Sequence, residues 1–328
     1  MSASGGMGDL VIDVGGTNAR LALARRGDDG RLVMDRLLSE RVARYDTAEA
    51  AIKHYLSEIG DGLPDRIGIG AAGPVRNGYC KLTNAHWSLD AAALAPMTES
   101  GTVVLANDMK VAARVVPDLR PEMADLETLK GTHDLHTVEG ARDASAVVVN
   151  IGTGFGVAPV HRVAIGDGGR WFAFGTEGGN ISNPSQAPGI TTAHSIEDII
   201  AGRGLAAYAN AMAGRDAFAS AEAVLASGDD AADTTAEVVR TMSWIIGRAT
   251  RDCILSHCAW DGVYFIGSVF EAWLKRADWP AFNAGLKSAA HPRVEDVPLH
   301  VIRRPNAALF GTALLLEDTG LSPNGETA

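Results

Sequence analysis

Cysteine is scarce in this chain, and long apolar runs and an excess of basic residues are both missing. Its three cysteines among 328 residues, Cys80, Cys253 and Cys258, form neither a Cys-x-x-Cys pair nor a Cys/His cluster with zinc spacing. A structural metal site is therefore not expected. No segment approaches the ~18 consecutive apolar residues of a membrane-spanning helix. Residues 1–8 lack the basic start and apolar core of a signal peptide. We therefore expect a cytoplasmic protein with no membrane contact.

The charge balance excludes further classes of partner. The formal net charge of −11 argues against nucleic acid or an anionic membrane as the main partner. A small anionic ligand remains possible, because backbone amides and one metal ion can bind phosphate whatever the global charge. The length allows two domains, and the apolar fraction of 46% is typical of a globular α/β protein.

A glycine-rich turn near the start of the chain is the strongest motif present. The stretch Asp13-Val14-Gly15-Gly16-Thr17-Asn18 follows an apolar run and leads into Leu21-Ala22-Leu23-Ala24, which is extended in character. A dinucleotide-binding fingerprint would lead into a helix, whereas this pattern predicts a β-hairpin whose tip can wrap phosphates. A similar arrangement returns at 146–157 around Gly152-Thr153-Gly154. The repetition predicts two related halves that face one nucleotide.

Hydrophobic periodicity predicts strands and helices in alternation. The expected strands are 10–14, 20–24, 31–38, 67–71, 103–106, 146–151, 157–161, 171–174, 263–266 and 298–302. The expected helices are 47–59, 89–95, 109–116, 195–212, 219–226, 233–257, 269–276, 279–289 and 306–317. Residues 125–143 are expected to be rich in loops. We predict a small lobe of residues 9–117 plus 306–318, a large lobe of residues 118–305, and flexible tails at 1–8 and 319–328.

Acidic residues at two strand ends are candidates for phosphate chemistry. Asp13 precedes the first glycine turn and could hold the water shell of a nucleotide-bound Mg²⁺, although it could also serve as a local cap. Asn107 and Asp108 follow a strand and precede a helix, where Asp108 could take a proton from an attacking hydroxyl. The alternative interpretation is an ordinary Asn-Asp helix cap.

Other segments suit a polyhydroxylated ligand. Glu177-Gly178-Gly179-Asn180 is a glycine loop with one carboxylate, and Asn84 lies in a predicted loop near Trp87. Glu197 falls in the first turn of a predicted helix that begins with a Ser195/Asp198 capping box. An acid at that place could equally be a helix-stabilising residue.

These segments together resemble the bacterial glucokinase family of the hexokinase/actin-like ATPase superfamily, in order from about residue 10 to 316. The resemblance is carried by Asp13–Arg20, Gly152–Gly156, Asn107-Asp108, Glu177-Gly178-Gly179, Ser195–Glu197, Gly262–Gly267 and Thr83–Trp87. It implies an α/β fold of two RNase H-like (actin-like ATPase) lobes, each a mixed sheet with hairpin strands and flanking helices. It also implies an active site in the cleft between the lobes and assembly as a homodimer.

The resemblance further implies an ATP- and Mg²⁺-dependent kinase acting on a hexose 6-hydroxyl, most simply that of glucose. Asp108 is then the catalytic base, and the residues expected to bind sugar are Asn84, Asn107, Glu177, Asn180 and Glu197. The residues expected to bind the nucleotide are Asp13, Gly15, Gly16, Thr17, Asn18, Gly152, Thr153, Gly154 and Gly267, with Asp13 holding Mg²⁺ through water.

Two departures from the family pattern leave alternatives open. Asn180 stands where the family has His, and an amide is shorter and cannot become charged. A kinase for mannose, an amino sugar or another hexose is therefore the second hypothesis. Ser268 replaces a glycine beside Gly267 and could crowd the base or ribose. A non-catalytic sugar-binding regulator is the third hypothesis, and ADP or polyphosphate could replace ATP as the donor.

Overall fold

A computed structural model of the chain describes residues 7–60, 62–180, 195–226, 232–288 and 291–319. Its strands are β1 (Asp9–Val14), β2 (Asn18–Arg26), β3 (Leu32–Arg41), β4 (Ile67–Ala71), β5 (Val75–Arg76), β6 (Tyr79–Lys81), β7 (Ser88–Asp90), β8 (Val103–Asn107), β9 (Leu126–Lys130), β10 (Ala144–Ile151), β11 (Phe155–Ile165), β12 (Gly168–Ala173), β13 (Val263–Ile266) and β14 (Leu299–Ile302). Its α-helices are α1 (Ala48–Ile59), α2 (Ala91–Leu94), α3 (Asp108–Val115), α4 (Glu197–Ile200), α5 (Gly202–Ala213), α6 (Ala221–Ala226), α7 (Ala232–His257), α8 (Ser268–Leu274), α9 (Trp279–Leu286) and α10 (Ala307–Thr319).

The chain divides into two compact units, Met1–Val115 with Pro305–Ala328, and Val116–Arg304. The predicted flexible tails at 1–8 and 319–328 lie outside the described residues except for residues 7, 8 and 319. Within the described ranges, no helix combines the length and apolarity needed to cross a bilayer.

The first unit is built on a five-stranded sheet in the order β3-β2-β1-β4-β8. Its first three strands are antiparallel neighbours, whereas β4 and β8 join in parallel. Helix α10 packs against α3 and the sheet. Arg114 of α3 donates two hydrogen bonds to the carboxylate of Asp318 in α10. A small sheet of β5, β6 and β7 lies between β4 and β8 in the chain.

The second unit repeats this arrangement in the order β12-β11-β10-β13-β14-β9. Strands β10, β11 and β12 again form the antiparallel part, and β13 and β14 run parallel to β10. The first five strands of this order match the order of the first unit. The predicted duplication of a hairpin-led α/β unit is therefore confirmed at the level of strand order.

A buried polar cluster supports the centre of the second sheet. The Tyr264 hydroxyl donates to His133 Nδ1 at 2.6 Å, because His133 Nε2 lies 3.2 Å from the Leu119 carbonyl and must carry the ring proton. The ring of His300 stacks on Tyr264 with centroids 5.0 Å apart. Burial lowers the pKa of both histidines to about 4. The cluster is therefore neutral at pH 7.

Two local predictions were wrong. Residues 126–130 form strand β9, which pairs antiparallel with β14, whereas no strand was expected in the loop-rich stretch 125–143. The helix expected at 195–212 is interrupted at Ala201, whose extended ψ of 168° separates α4 from α5. The Gly202 N–H is thereby turned toward the Gly152 carbonyl, to which it donates at 2.9 Å.

Candidate active site

The first glycine turn joins β1 to β2 in the first unit. The Gly15 N–H donates to the Asn18 carbonyl at 2.9 Å, which closes the turn and leaves Thr17 and Asn18 exposed. Neither Gly15 nor Gly16 has a positive φ. Glycine is needed at 16 because a Cβ there would lie 2.9 Å from the Cβ of Asn84. The structure thus places Asn84, which is predicted to bind sugar, against the turn that is predicted to bind phosphate.

Asp13 lies in β1 directly opposite Arg20 in β2. The Arg20 guanidinium contacts the Asp13 carboxylate at 3.1 Å. Burial raises the pKa of Asp13 above its ordinary value, and Arg20 opposes that rise. Arg20 was not predicted as the partner of Asp13, although the register of a tight hairpin turn at 15–18 places it opposite.

Asn107 is used as a helix cap. Its Oδ1 accepts from the N–H groups of Met109 and Lys110 at 3.0 and 3.3 Å, while its Nδ2 donates to the Gly73 carbonyl at 3.2 Å. The amide is thereby fixed in orientation at the end of β8. The alternative interpretation of Asn107 as a cap is confirmed, which fixes the geometry of the residue that follows.

Asp108 is the first residue of α3 and is partly buried. Its Oδ1 accepts from its neighbour's N–H, that of Met109, at 2.8 Å. Burial raises the pKa of Asp108 to about 6, the Met109 N–H lowers it, and the negative charge of Asp13 raises it further. A carboxylate with this pKa is ionised at pH 7 yet basic enough to accept a proton, as a general base must be.

The second glycine turn joins β10 to β11 in the second unit. The Gly152 N–H donates to the Gly154 carbonyl at 2.9 Å, and the side chain of Thr153 between them is exposed. Gly267 follows β13 with a φ of +111°, and a Cβ there would overlap the Ile151 carbonyl oxygen. A Cβ on Gly152 would lie 3.9 Å from the Cα of Gly267. The structure therefore brings together two segments that are predicted to bind the nucleotide. Ser268, the next residue, begins α8 with an exposed side chain.

Glu177 and Asn180 bracket a single 3-10 turn, Gly178–Asn180. The Asn180 Nδ2 donates to Glu177 Oε2 at 3.1 Å, and its backbone N–H donates to the Glu177 carbonyl at 3.0 Å. Both side chains are exposed. Asn180 therefore orients the carboxylate of Glu177 and presents its own Oδ1 as an acceptor.

Glu197 begins α4, and the predicted capping box is confirmed. The Asp198 N–H donates to Ser195 Oγ at 3.3 Å, and the Ser195 N–H donates to Asp198 Oδ2 at 2.9 Å. Glu197 itself reaches the second glycine turn, where its Oε2 accepts from the Phe155 N–H at 2.8 Å. This contact was not foreseen, because it joins residues 42 positions apart.

The side chains available to bind Mg²⁺ are carboxylates that do not form a complete set of metal ligands by themselves. Among the described residues, no group of three or more His, Cys, Asp or Glu side chains could hold a metal ion. Mg²⁺ in nucleotide sites is bound by one or two carboxylates plus phosphates and keeps several waters. Asp13, which interacts electrostatically with Asp108, fits an ion bound in that way.

Comparison with known proteins gives a consistent result. The family described as Glucokinase matches residues 10–319. The chain is 28% identical to the glucokinase of Caulobacter vibrioides over 97% of both chains, and 29% identical to that of Pseudomonas aeruginosa over 96% of both.

Solved structures agree with this sequence comparison. A glucokinase from an Antarctic psychrotroph superposes with a TM-score of 0.77 at 23% identity, over 94% of this chain and 98% of the other. A ROK family glucokinase from Streptomyces griseus, solved with glucose and AMPPNP, gives a TM-score of 0.55 at 17% identity over 95% and 100%. These likenesses confirm the predicted actin-like ATPase fold.

Proposed function

This chain belongs to the glucokinase family, and on that premise we propose that it transfers the γ-phosphoryl group of ATP to the 6-hydroxyl of a hexose, with glucose as the favoured sugar. The observation that carries the proposal is the Asp108 carboxylate at the start of α3. Its raised pKa and its fixed neighbour Asn107 suit a base that receives a proton from an attacking hydroxyl.

Asp108 acts through the oxygen that the helix leaves available. Oδ1 accepts the Met109 N–H at 2.8 Å, and we assign the proton transfer to the other carboxylate oxygen, Oδ2. Oδ2 therefore receives the proton of the 6-hydroxyl as the hydroxyl oxygen of the sugar attacks the γ-phosphorus of ATP. Phosphoryl transfer requires mainly positioning and charge neutralisation, so one base near neutrality is chemically sufficient.

The remaining site residues are assigned to binding. Asn84, Glu177, Asn180 and Glu197 present amide or carboxylate oxygens that accept hydrogen bonds from sugar hydroxyls, and Asn107 contributes to the sugar site beside its capping role. The glycine turns at Gly15–Asn18 and Gly152–Gly154 offer backbone N–H groups to phosphate, and Gly267 lets the chain pass close to the nucleotide.

Mg²⁺ would be held through water by Asp13. When bound with ATP, the ion neutralises charge on the phosphates. Arg20 is already paired with Asp13 and limits how far that carboxylate can turn. Burial raises the pKa of Asp13, and the negative charge of Asp13 raises the pKa of Asp108, so a divalent cation would relieve this pair of negative charges.

A second candidate differs only in the sugar. The Asn180 Nδ2 is bonded to Glu177 and an amide is shorter than the family's imidazole, so Asn180 offers the sugar a different contact through its Oδ1. That observation favours mannose, an amino sugar or another hexose over a strict requirement for glucose. A non-catalytic regulator is less well supported, because a sugar-binding protein needs no carboxylate with the pKa of Asp108.

The test is formation of sugar phosphate across a panel of glucose, mannose, glucosamine and fructose with ATP, ADP or polyphosphate as donor, together with ADP release in the reactions that contain ATP. Asp108→Asn is the blank. We expect turnover with a hexose and ATP that falls ~10²-fold or more in the variant. Saturable sugar binding without ADP release would instead support the regulator. The homodimer that the resemblance implies is tested separately by the mass in solution.

A further inference from the structure

The side chain of Glu197 contacts the second glycine turn directly. Its Oε2 accepts the Phe155 N–H at 2.8 Å, immediately after Gly154. The capping box of Ser195 and Asp198 holds the start of α4, so the carboxylate is presented from a fixed helix terminus. A residue that only stabilised its own helix would have no need of this distant partner.

Three segments converge on this one carboxylate. A Cβ on Gly154 would lie 2.8 Å from Glu197 Oε2, and a Cβ on Gly179 would lie 3.0 Å from the same oxygen. A Cβ on Gly179 would also overlap the Phe155 carbonyl oxygen. The glycine turn, the Glu177–Asn180 loop and α4 can therefore meet at Oε2 only because both contacting residues are glycines.

We propose that Glu197 is a positioning residue for the nucleotide as well as a sugar-binding residue. By holding the Phe155 N–H it fixes the conformation of the Gly152–Gly154 turn, whose amides would face phosphate. This proposal rests on the function proposed above. Within the described residues, Oε1 accepts no hydrogen bond, so one oxygen serves the turn and the other is available to the sugar.

The dual role predicts an effect that sugar binding alone would not produce. If Glu197 served only the sugar, nucleotide affinity measured without sugar would not depend on it. If it holds the turn, the phosphate amides lose their fixed direction when the hydrogen bond is lost. A hydrogen bond to a charged acceptor typically changes an equilibrium constant ~10-fold or more.

Side-chain length separates the two roles. Glu197→Asp keeps the charge and suits a helix N-terminus, but it withdraws the carboxylate by one methylene from the Phe155 N–H. Glu197→Gln keeps the length and one acceptor oxygen and removes the charge. The matched control is Glu177→Asp, because Glu177 is exposed and its Oε2 is bonded to Asn180 rather than to the turn.

The experiment measures the Kd of Mg-AMPPNP by calorimetry without sugar, together with kcat and the sugar KM. We expect Glu197→Asp to raise the nucleotide Kd about tenfold. Glu197→Gln should have a nucleotide Kd within about threefold of wild type but a raised sugar KM. Glu177→Asp should raise the sugar KM alone. An unchanged nucleotide Kd in Glu197→Asp overturns this proposal.

The outcome for the general function is read separately. A wild-type protein that binds Mg-AMPPNP but phosphorylates no hexose refutes the kinase, whereas the Kd comparison still decides the role of Glu197. A wild-type protein that binds no nucleotide refutes both. Far-ultraviolet circular dichroism of each variant confirms that it is folded before its Kd is compared.

Discussion

Replacing Asp108 by Asn is expected to lower kcat by at least ~10²-fold and to stabilise the folded protein. Burial raises the pKa of this carboxyl from 3.8 to about 6, so ionising it is harder in the folded protein than in the unfolded chain. A pKa difference of about 2 corresponds to ~3 kcal/mol. Below pH 3.8 the carboxyl is protonated in both states and carries no cost. The cost grows as the pH rises through 3.8 to 6 and is complete above 6.

The Asn variant carries no charge at this position and so avoids the cost. At pH 7.5 we expect its free energy of unfolding to exceed that of the wild type by up to ~3 kcal/mol, and at pH 4.5 by only ~1 kcal/mol. Its kcat should fall ~10²- to 10⁴-fold. The wild-type kcat/KM should fall about tenfold per pH unit below pH 6, since only the ionised base accepts a proton.

Urea denaturation of both proteins at the two pH values supplies the measurement. The difference between variant and wild type isolates Asp108, because every other titrating group is common to both. A stability difference that does not change with pH would refute the assigned pKa. Turnover near the wild-type rate would refute the assigned base. Either result can occur without the other.

Three further changes test other parts of the structure. Asn180→His should raise kcat/KM for glucose relative to glucosamine about tenfold, the effect of one hydrogen bond to a sugar hydroxyl, and an unchanged ratio would show that this position does not set specificity. Gly267→Ala should lower the free energy of unfolding by at least ~2 kcal/mol, because φ is +111° and the new Cβ meets a carbonyl oxygen. The control is Ser268→Ala at the exposed neighbouring position, which should have the melting temperature of the wild type. Burial lowers the pKa of His133 and His300 from 6.5 to about 4, so between pH 7 and pH 5 the unfolded chain binds more protons than the folded protein. As the pH falls over this range, each histidine should therefore lower the free energy of unfolding by ~2 kcal/mol. His300→Asn should make that loss shallower, and an equal slope would contradict the buried, neutral state of the ring.

The fold was predictable where a strand carries its own signal. All ten predicted strands are present, because long apolar runs such as 146–151 are decisive without knowledge of their partners. Strands β5, β6 and β7 were missed because they are two or three residues long. Strand β9 was missed because it is half polar and acquires its strand conformation from β14, about 170 residues later. Pairing partners at such distances are not encoded in local periodicity.

Within the candidate site, local turns and caps were predictable from the sequence, whereas contacts between distant residues were not. Local rules correctly predicted the Ser195/Asp198 capping box and the hairpin form of both glycine turns. The bond between Glu197 and Phe155 has no local signature. A glycine at 16 could serve a turn that needs a positive φ, but its φ is not positive and the structure uses it to admit Asn84. Both explanations place glycine there, and only the tertiary contact distinguishes them.

Structural and catalytic interpretations of the same acid are not exclusive alternatives in this chain. Asp108 and Glu197 each accept a backbone N–H through one carboxylate oxygen, from Met109 and Phe155 respectively. A carboxylate held by one oxygen has a fixed direction, which a free surface carboxylate lacks, and that direction is what a base or a sugar ligand requires. The hydrogen bond that identifies each acid as a structural residue is therefore the reason it can also position a reacting hydroxyl. It follows that removing the backbone contact should impair function even when the carboxylate charge is kept, which is the comparison that Glu197→Asp makes.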